Sequence, residues 1–561
     1  MTVEKPKPKK KVPKKKRFIA EHKPFVVGGI ILGIAIAGII SGIIFFAEEP
    51  KGGSCIIGLA AEVENIDPIT HSQSTFAEEI IVNQVAESLF DFDYTGKQPR
   101  LIFTLAKGYE WNNEVTELTC FLRKGVKFHD GTPFNATAVK WNFDRIHRLV
   151  TWWWSYLFEL PDGRWIVNVT KVIDEYTVKF VLNEPFVPFL HLLTQATTCI
   201  LSPTSTPANK TIDLNTEDLV GTGPFTYDEY EPHVNITMSP NQHYWGKKPR
   251  IDKLVFKFYE YPTEGEDLWN AIIAKDISIL DPYFYIPYPN WSIQTLKNDP
   301  GITVRERSPT NYRFIGMNNK LINLTMRKAI SYAINYSYMA EDILPHKAVS
   351  ARSPIPEGIL YSDTTSFDVP YYNISLARQI LKEAGWPGTS DLTADDDISP
   401  GNSWEMLVSN ETPLATYTLD YLPGNPLCVG MAFPVPDDLK QIGVKIINQF
   451  NWSFPLQLFT LGWIYDYNDP HNAMLDYYSK SEYSFLQIND TLVDRWIEEG
   501  VKETDPILRE EIYYKIQERL IEQLYPVIFT FSSIEFNIHV KNLRGWQPNP
   551  FKTQLKKIYF V

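Results

Sequence analysis

Leu118-Thr-Cys-Phe-Leu-Arg-Lys-Gly-Val-Lys-Phe128, then His129-Asp-Gly-Thr-Pro133, then Asn135-Ala-Thr-Ala-Val-Lys-Trp-Asn-Phe-Asp-Arg145, is the densest local signal in the chain. Its first part alternates apolar and polar residues, with Lys124-Gly125 where a hairpin would turn. The second is a turn cluster. The third has helical spacing, with Asn135 at the position that accepts hydrogen bonds from a helix's first free amides. His129 beside Asp130 has no nucleophile nearby, so a structural role is expected. Working outward, Ser54–Ala61 reads as an apolar strand, and Ile80, Ile81, Val85 and Leu89 recur at helical spacing. Asp505-Pro506 opens a helix with proline at its first position. That helix has Ile512, Tyr513, Ile516, Leu520, Ile521 and Leu524 as its buried stripe, and Pro526 stops it. Val527–Phe531 is a short buried strand. Helix and strand patterns alternate through residues 54–561, as in α/β lobes.

Residues 1–24 carry nine Lys, one Arg and two Glu, a net +8, with too few apolar residues to bury, and are expected to be disordered. Phe25–Ala47 follows, 23 residues without a charge. At about 1.5 Å per residue it reaches roughly 35 Å, enough for a hydrocarbon core of about 30 Å. It exceeds the usual signal-peptide core, and Glu48-Glu-Pro-Lys51 follows it directly, so an uncleaved anchor is expected. The basic flank then stays cytoplasmic and the rest of the chain lies outside. Charges and a proline separate Cys55 from the apolar run, which argues against lipid attachment.

More than 500 residues beyond the anchor are too many for one core, so two or more lobes are expected. The whole chain carries −13, leaving −21 outside the tail, which argues against a nucleic-acid partner. Aromatics are 14% of residues, enough for ligand stacking, although a large core would absorb most of them. Cys55, Cys120, Cys199 and Cys428 show no zinc spacing; Cys120 and Cys199 either pair or remain free buried thiols. Eleven Asn-x-Ser/Thr sites lie beyond the anchor. Asn135, Asn168, Asn209, Asn235, Asn290, Asn410 and Asn451 are the glycosylation candidates; Asn323, Asn335, Asn373 and Asn489 complete the set, with Asn335 read inside a helix.

Several segments resemble, in order, those of the family 5 extracellular solute-binding proteins, the peptide, nickel and oligosaccharide receptors of ABC importers. Phe121–Ala136 is similar to the family's signature. Val172–Phe180 with Pro185-Phe-Val-Pro-Phe189, Gly221-Thr-Gly-Pro-Phe225, Asn241–Asp252, Met326–Ile334 and Ala377–Gly385 resemble its later motifs. The resemblance spans roughly residues 54–561. It implies an α/β, two-lobed periplasmic-binding-protein-like fold of type II with an enlarged first lobe, preceded by one transmembrane helix. The implied lobes are 54–92, 218–310 and 534–561 for the core of lobe I, 93–217 for its extension, and 311–533 for lobe II.

Leu461-Gly-Trp-Ile-Tyr-Asp-Tyr-Asn-Asp-Pro-His471 reads as a strand ending in a loop that displays aromatic rings and acids, a usual place for binding groups. The bland reading is that Asp466 and Asp469 only cap turns. The resemblance implies that Asp466 pairs with a ligand's terminal ammonium, walled by Trp463 and Tyr465, with Glu64 and Tyr312 as further contacts. The family's dipeptide branch places an arginine for the ligand carboxylate ahead of this loop. No arginine lies between Arg378 and Arg495, which argues against a strict dipeptide receptor. The implied function is an anchored, monomeric extracellular receptor that closes on oligopeptide-like solutes and passes them to ABC permease subunits. Oligosaccharide binding and a non-transport sensor are the alternatives. Nickel complexes have only His471 as a nearby ligand, and no cofactor or resident metal is expected. Asp395-Asp-Asp397 reads as a solvated acidic run. No hydrolase elbow, zinc helix or phosphate loop occurs, so an enzyme is not expected.

Overall fold

A computed structural model describes residues 52–561, apart from 64, 71–76, 96–98, 151–154, 260–265, 282–291, 345–346, 482–483 and 548. The basic tail, the apolar run 25–47, Glu64 and Asn290 therefore lie outside the described residues. Among the described residues no helix is long and apolar enough to cross a membrane.

Two large sheets organise the chain. A seven-stranded sheet has the order Ile302–Arg307, Glu535–Val540, Ile279–Leu280, Ser54–Leu59, Lys253–Phe258, Asn235–Pro240, Phe225–Glu231. A six-stranded sheet has the order Ala348–Ser350, Val527–Ser533, Asn311–Met317, Leu458–Ile464, Ala415–Asp420, Val444–Gln449. Each mixes parallel and antiparallel pairs and carries its own buried cluster, so the chain forms two α/β lobes. Every residue of Asn311–Met317 is buried, as expected for a strand flanked on both edges and covered on both faces. Among the described residues the chain passes between the sheets twice. Ile302–Arg307 runs through residues 308–310 into Asn311–Met317, and Val527–Ser533 runs through Ile534 into Glu535–Val540.

These crossings are tied to each other. Arg307 and Glu535 form a sheltered ion pair, with 11% and 6% of their side chains exposed. The Thr310 hydroxyl and Asn311 Nδ2 donate to Glu535 Oε1 at 3.1 and 3.3 Å. Ser533 N donates to Asn311 Oδ1 at 3.0 Å.

A four-stranded antiparallel sheet, Ala106–Trp111, Glu117–Leu122, Thr177–Leu182, Val167–Asp174, carries the start of the Leu118–Phe128 stretch. The hairpin expected across Lys124-Gly125 does not form. Glu117–Leu122 is already paired on both edges, by Ala106–Trp111 and Thr177–Leu182, so residues after 122 cannot fold back on it. Lys127 instead bridges Pro133, and Phe134 N donates to Val126 O. The helix Ala136–Leu149 does start at Asn135, whose side chain accepts from Ala138 N.

Capping explains part of the sequon count. Asn135, Asn323, Asn335 and Asn373 are all helix N-caps whose side chains accept a backbone amide. Asn335 thus begins the helix Tyr336–Glu341 rather than sitting inside one. Asn168, Asn209, Asn410, Asn451 and Asn489 are exposed, and Asn235 is half-buried in a strand. The four cysteines are free and buried, so Cys120 and Cys199 do not pair. Asp395 and Asp397 are not merely solvated, because Arg378 donates to both of their carbonyls and to an Asp395 carboxylate oxygen.

Truncating a partner in a sheltered ion pair costs about 3–5 kcal/mol. Glu535→Ala is expected to lower the unfolding free energy by about that much, measured by urea denaturation. A loss below about 1 kcal/mol would show that the crossings do not depend on this carboxylate.

Candidate functional site

The sequence motifs converge, but on scaffold. Glu87 is buried, and it accepts from Tyr244 hydroxyl at 2.6 Å, Trp245 Nε1 at 2.7 Å and Thr222 hydroxyl at 3.0 Å. The Arg123 guanidinium stacks 4.4 Å from the Trp245 ring. His129 Nε2 lies 3.0 Å from Gly223 O, and His129 N donates to Gly221 O at 2.9 Å. Gly221 and Gly223 pass so close to Val85 and Ala86 that a Cβ at either would overlap that backbone. These contacts lock the signature segment to the core of the first lobe, and His129 is structural.

The loop after Leu458–Ile464 is where the two lobes meet. Its strand pairs with Asn311–Met317 in a register that sets Trp463 opposite Tyr312 and Gly462 opposite Arg313. A Cβ on Gly462 would overlap the Arg313 side chain, so glycine here makes room for that arginine. Asp466 then projects between the lobes. Its Oδ2 accepts from Asn472 Nδ2 of its own lobe at 2.9 Å and from the Tyr156 hydroxyl of the first lobe's extension at 2.7 Å. Gln195 Nε2, also from the extension, donates to the Asp466 carbonyl. Among the described residues no side chain donates to Oδ1. Burial pushes the Asp466 carboxyl above its ordinary range, and the bonds from Tyr156 and Asn472 hold it back.

Trp463 is half-buried, and its Nε1 donates to Asn472 Oδ1 at 3.1 Å, the same oxygen that accepts Asp466 N at 3.2 Å. Asn472 therefore fixes both ring and carboxylate. Tyr465, expected at the pocket wall, and Tyr312, expected as a further ligand contact, belong to the core of the second lobe instead. Tyr465 is 2% exposed and donates to Pro354 O at 2.8 Å; Tyr312 has no exposed surface, and its hydroxyl lies 3.3 Å from that of Tyr477. Both share the face of Trp463, Tyr312 directly opposite it and Tyr465 two residues on, and that face packs against the core of the second lobe.

The rest of the loop crosses the seam. Tyr467 inserts into the buried cluster of the first lobe's extension. Asn468 Nδ2 donates to the Tyr94 hydroxyl at 2.8 Å. Asp469 is fully buried: Arg509 grips both of its oxygens, at 2.7 and 2.9 Å, and His191 Nδ1 from the extension stands 2.6 Å from Oδ2. Burial alone would raise the Asp469 carboxyl, but Arg509 and His191 outweigh it and hold the group well below the usual carboxylate range. Burial drives His471 down to about 4, so it is neutral at pH 7. Among the described residues no group of three or more His, Cys, Asp or Glu side chains is placed to hold a metal ion.

Sequence reasoning missed Tyr156, Gln195 and His191, which reach Asp466 and Asp469 from over 270 residues away. It also missed Glu79, in the first turn of the helix Ala77–Val85. Glu79 is 5% exposed, and its carboxyl is pushed up to about 8 by burial and then by Asp466 and Glu78, against the opposing charge of Lys552. The acidic pair Glu78-Glu79 was the only available signal, and it looks like ordinary first-turn acids.

Residues 100–485 match the family described as bacterial extracellular solute-binding proteins, family 5 Middle. A glutathione-binding protein, GsiB of Pectobacterium atrosepticum, is 24% identical over 513 residues, covering 88% of this chain and 91% of that protein. The fold is similar to that of HbpA2 from Haemophilus parasuis, with a TM-score of 0.75, 22% identity and coverage of 91% of this chain and 100% of the other. It is also similar to the oligopeptide-binding protein AppA from Bacillus subtilis in complex with a nonapeptide, with a TM-score of 0.65, 19% identity and coverage of 91% and 100%.

Asp469 has a depressed carboxyl, so its contribution to stability is complete above the unfolded value of about 3.9 and is lost as pH falls towards the folded value. The stability gap between wild type and Asp469→Asn is therefore expected to be constant from about pH 5 to 7 and to narrow below about pH 4. Urea melts across that range test this; a gap that stays flat into acid would assign the loss to packing alone.

Proposed function

The chain belongs to the bacterial extracellular solute-binding proteins of family 5, which are binding receptors and not enzymes, and from that premise we propose that it captures oligopeptide-like solutes between its lobes for delivery to an ABC permease. The observation that carries this reading is Asp466. It is a carboxylate at the lobe seam whose Oδ2 is satisfied by Tyr156 and Asn472, while no described side chain donates to Oδ1. A ligand ammonium at Oδ1 would make a charge-assisted hydrogen bond away from bulk water. Because both ions must shed water, such a pair selects the ligand's charge more than it adds net affinity. Trp463, held by Asn472, would form the pocket wall, with Tyr465 and Tyr312 supporting it from behind.

In this reading the lobes are 54–92, 218–310 and 534–561 with the extension 93–217, and 311–533. The boundaries at 310 and 533 coincide with the two passages between sheets. Residues 25–47 would tether the receptor, supported by their length and lack of charge. Exposed Asn168, Asn209, Asn410 and Asn451 would be the glycan acceptors, more so than the half-buried cap Asn135 and the half-buried strand residue Asn235.

The test is calorimetry with alanine peptides of two to five residues, each with a free or an acetylated amino end, alongside glutathione and a maltooligosaccharide. A free amino end is expected to tighten binding by about 10- to 100-fold, as a bond worth about 1.5–3 kcal/mol would. Asp466→Asn is expected to remove that preference and leave acetylated peptides unchanged. Binding of the sugar alone, or equal binding of free and acetylated peptides, would overturn the reading.

A further inference from the structure

Val167–Asp174 is an edge of the four-stranded sheet: it pairs with Thr177–Leu182 on one side, and among the described residues no strand pairs with its other side. Val169, Val172 and Ile173 stand 37, 40 and 54% exposed along it. An open edge with exposed β-branched residues is a template for pairing with another chain, and proteins that keep one usually cover it. This strand also holds the sequon Asn168-Val-Thr170. Its ladder skips Asn168: Val167 pairs with Leu182 and Val169 with Val181, so Asn168 is the extra residue of a β-bulge, a device that re-aims a side chain. Asn168 lines a cavity of about 280 Å³ between this strand and the helix Ala136–Leu149. Among the described residues its side-chain amide has no hydrogen-bond partner.

The cavity has the chemistry of a sugar site. Trp165 forms one wall, with His147 tilted against it at 4.3 Å between ring centroids and Phe158 stacked at 6.1 Å. Asp144 and Arg148 also line it. Asp144 is paired with Lys140 at 2.7 Å and Arg148 donates to Ala208 O at 3.1 Å, which leaves carboxylate lone pairs and guanidinium N–H groups for further bonds. A pyranose presents a face of C–H groups, which packs on an aromatic ring through dispersion, and hydroxyls that need hydrogen bonds. We propose that Asn168 is glycosylated and that its first sugar folds back into this cavity against Trp165, covering the sheet edge. This rests on the glycan reading above and deepens it at one site. The donor is a lipid-pyrophosphate-linked sugar used by a membrane transferase. A bond forms between Asn168 Nδ2 and the sugar's anomeric carbon. The C–O bond from that carbon to the pyrophosphate breaks, the leaving group keeps the electron pair, and the amide proton passes to solvent. Thr170 is 3% exposed, so the transferase meets the sequon before the strand docks on the helix.

Glycopeptide mass spectrometry on the full chain, purified from membranes of the cell that makes it, is expected to find a sugar on Asn168. Hydrogen exchange over residues 165–174 then reads the docking: glycosylated wild type is expected to exchange about tenfold more slowly than Asn168→Gln from the same source. In a Trp165→Ala background the sugar is expected to give no such protection. His147→Ala, on an exposed turn of the helix, is expected to lose part of it and serves if Trp165→Ala does not fold. A sugar on Asn168 that leaves exchange unchanged overturns the inference. So do sugars at Asn209, Asn410 or Asn451 with none at Asn168, and both results leave the glycan reading intact. No sugar on any sequon removes that reading and this inference together, while the peptide titrations decide the receptor reading separately.

Discussion

The arrangement depends on a fully buried carboxylate, Asp469, held from both lobes. Arg509 saturates both oxygens from the second lobe, and His191 reaches one of them from the first. A lone buried carboxylate would cost several kcal/mol, and the bidentate guanidinium removes most of that cost before the lobes meet. His191 then finds an acceptor already in place. The loop between Asp466 and Asp469 is thereby fixed at both ends, by Asn472 at one and Arg509 at the other. This is why Tyr467 can enter the buried cluster of the four-stranded sheet and Asp466 can present an oxygen to which no described side chain donates.

The resemblance rested on residues that turn out to serve the scaffold. Arg123, Thr222, Tyr244 and Trp245 gather around Glu87, while Gly221 and Gly223 exist to let two backbones touch. Such requirements leave strong local signatures because few residue types satisfy them. A binding loop has no such constraint. Its partners arrive from distant segments, and the ligand it selects varies while the frame does not.

That contrast sets how much was legible in the sequence. Helix starts were readable because a capping asparagine or aspartate and a nearby proline act locally: Asn135 and Asp505 both cap as expected. Strand pairing was not. The alternation around Lys124-Gly125 looked like a hairpin, but alternation records only which faces are buried, and Glu117–Leu122 found both partners elsewhere. Asp466 was singled out through the resemblance, because its loop is one short continuous segment. Tyr156, Gln195 and Glu79 were not, because nothing local marks a residue whose partner lies hundreds of positions away. Tyr312 and Tyr465 were expected at the ligand from the resemblance, but both rings are buried in the core of the second lobe.

The two passages between the sheets lie in neighbouring antiparallel strands, cross-tied by Arg307, Thr310 and Asn311 to Glu535 and Ser533. Two side-by-side ribbons resist sliding past each other far more than they resist bending together. Were the lobes to swing apart, they would keep essentially one rotational freedom, like covers on a spine, with torsion concentrated in residues 308–310 and 534. A partner that docks on both covers at once would therefore read a single angle, and that angle alone would tell it whether the receptor is loaded.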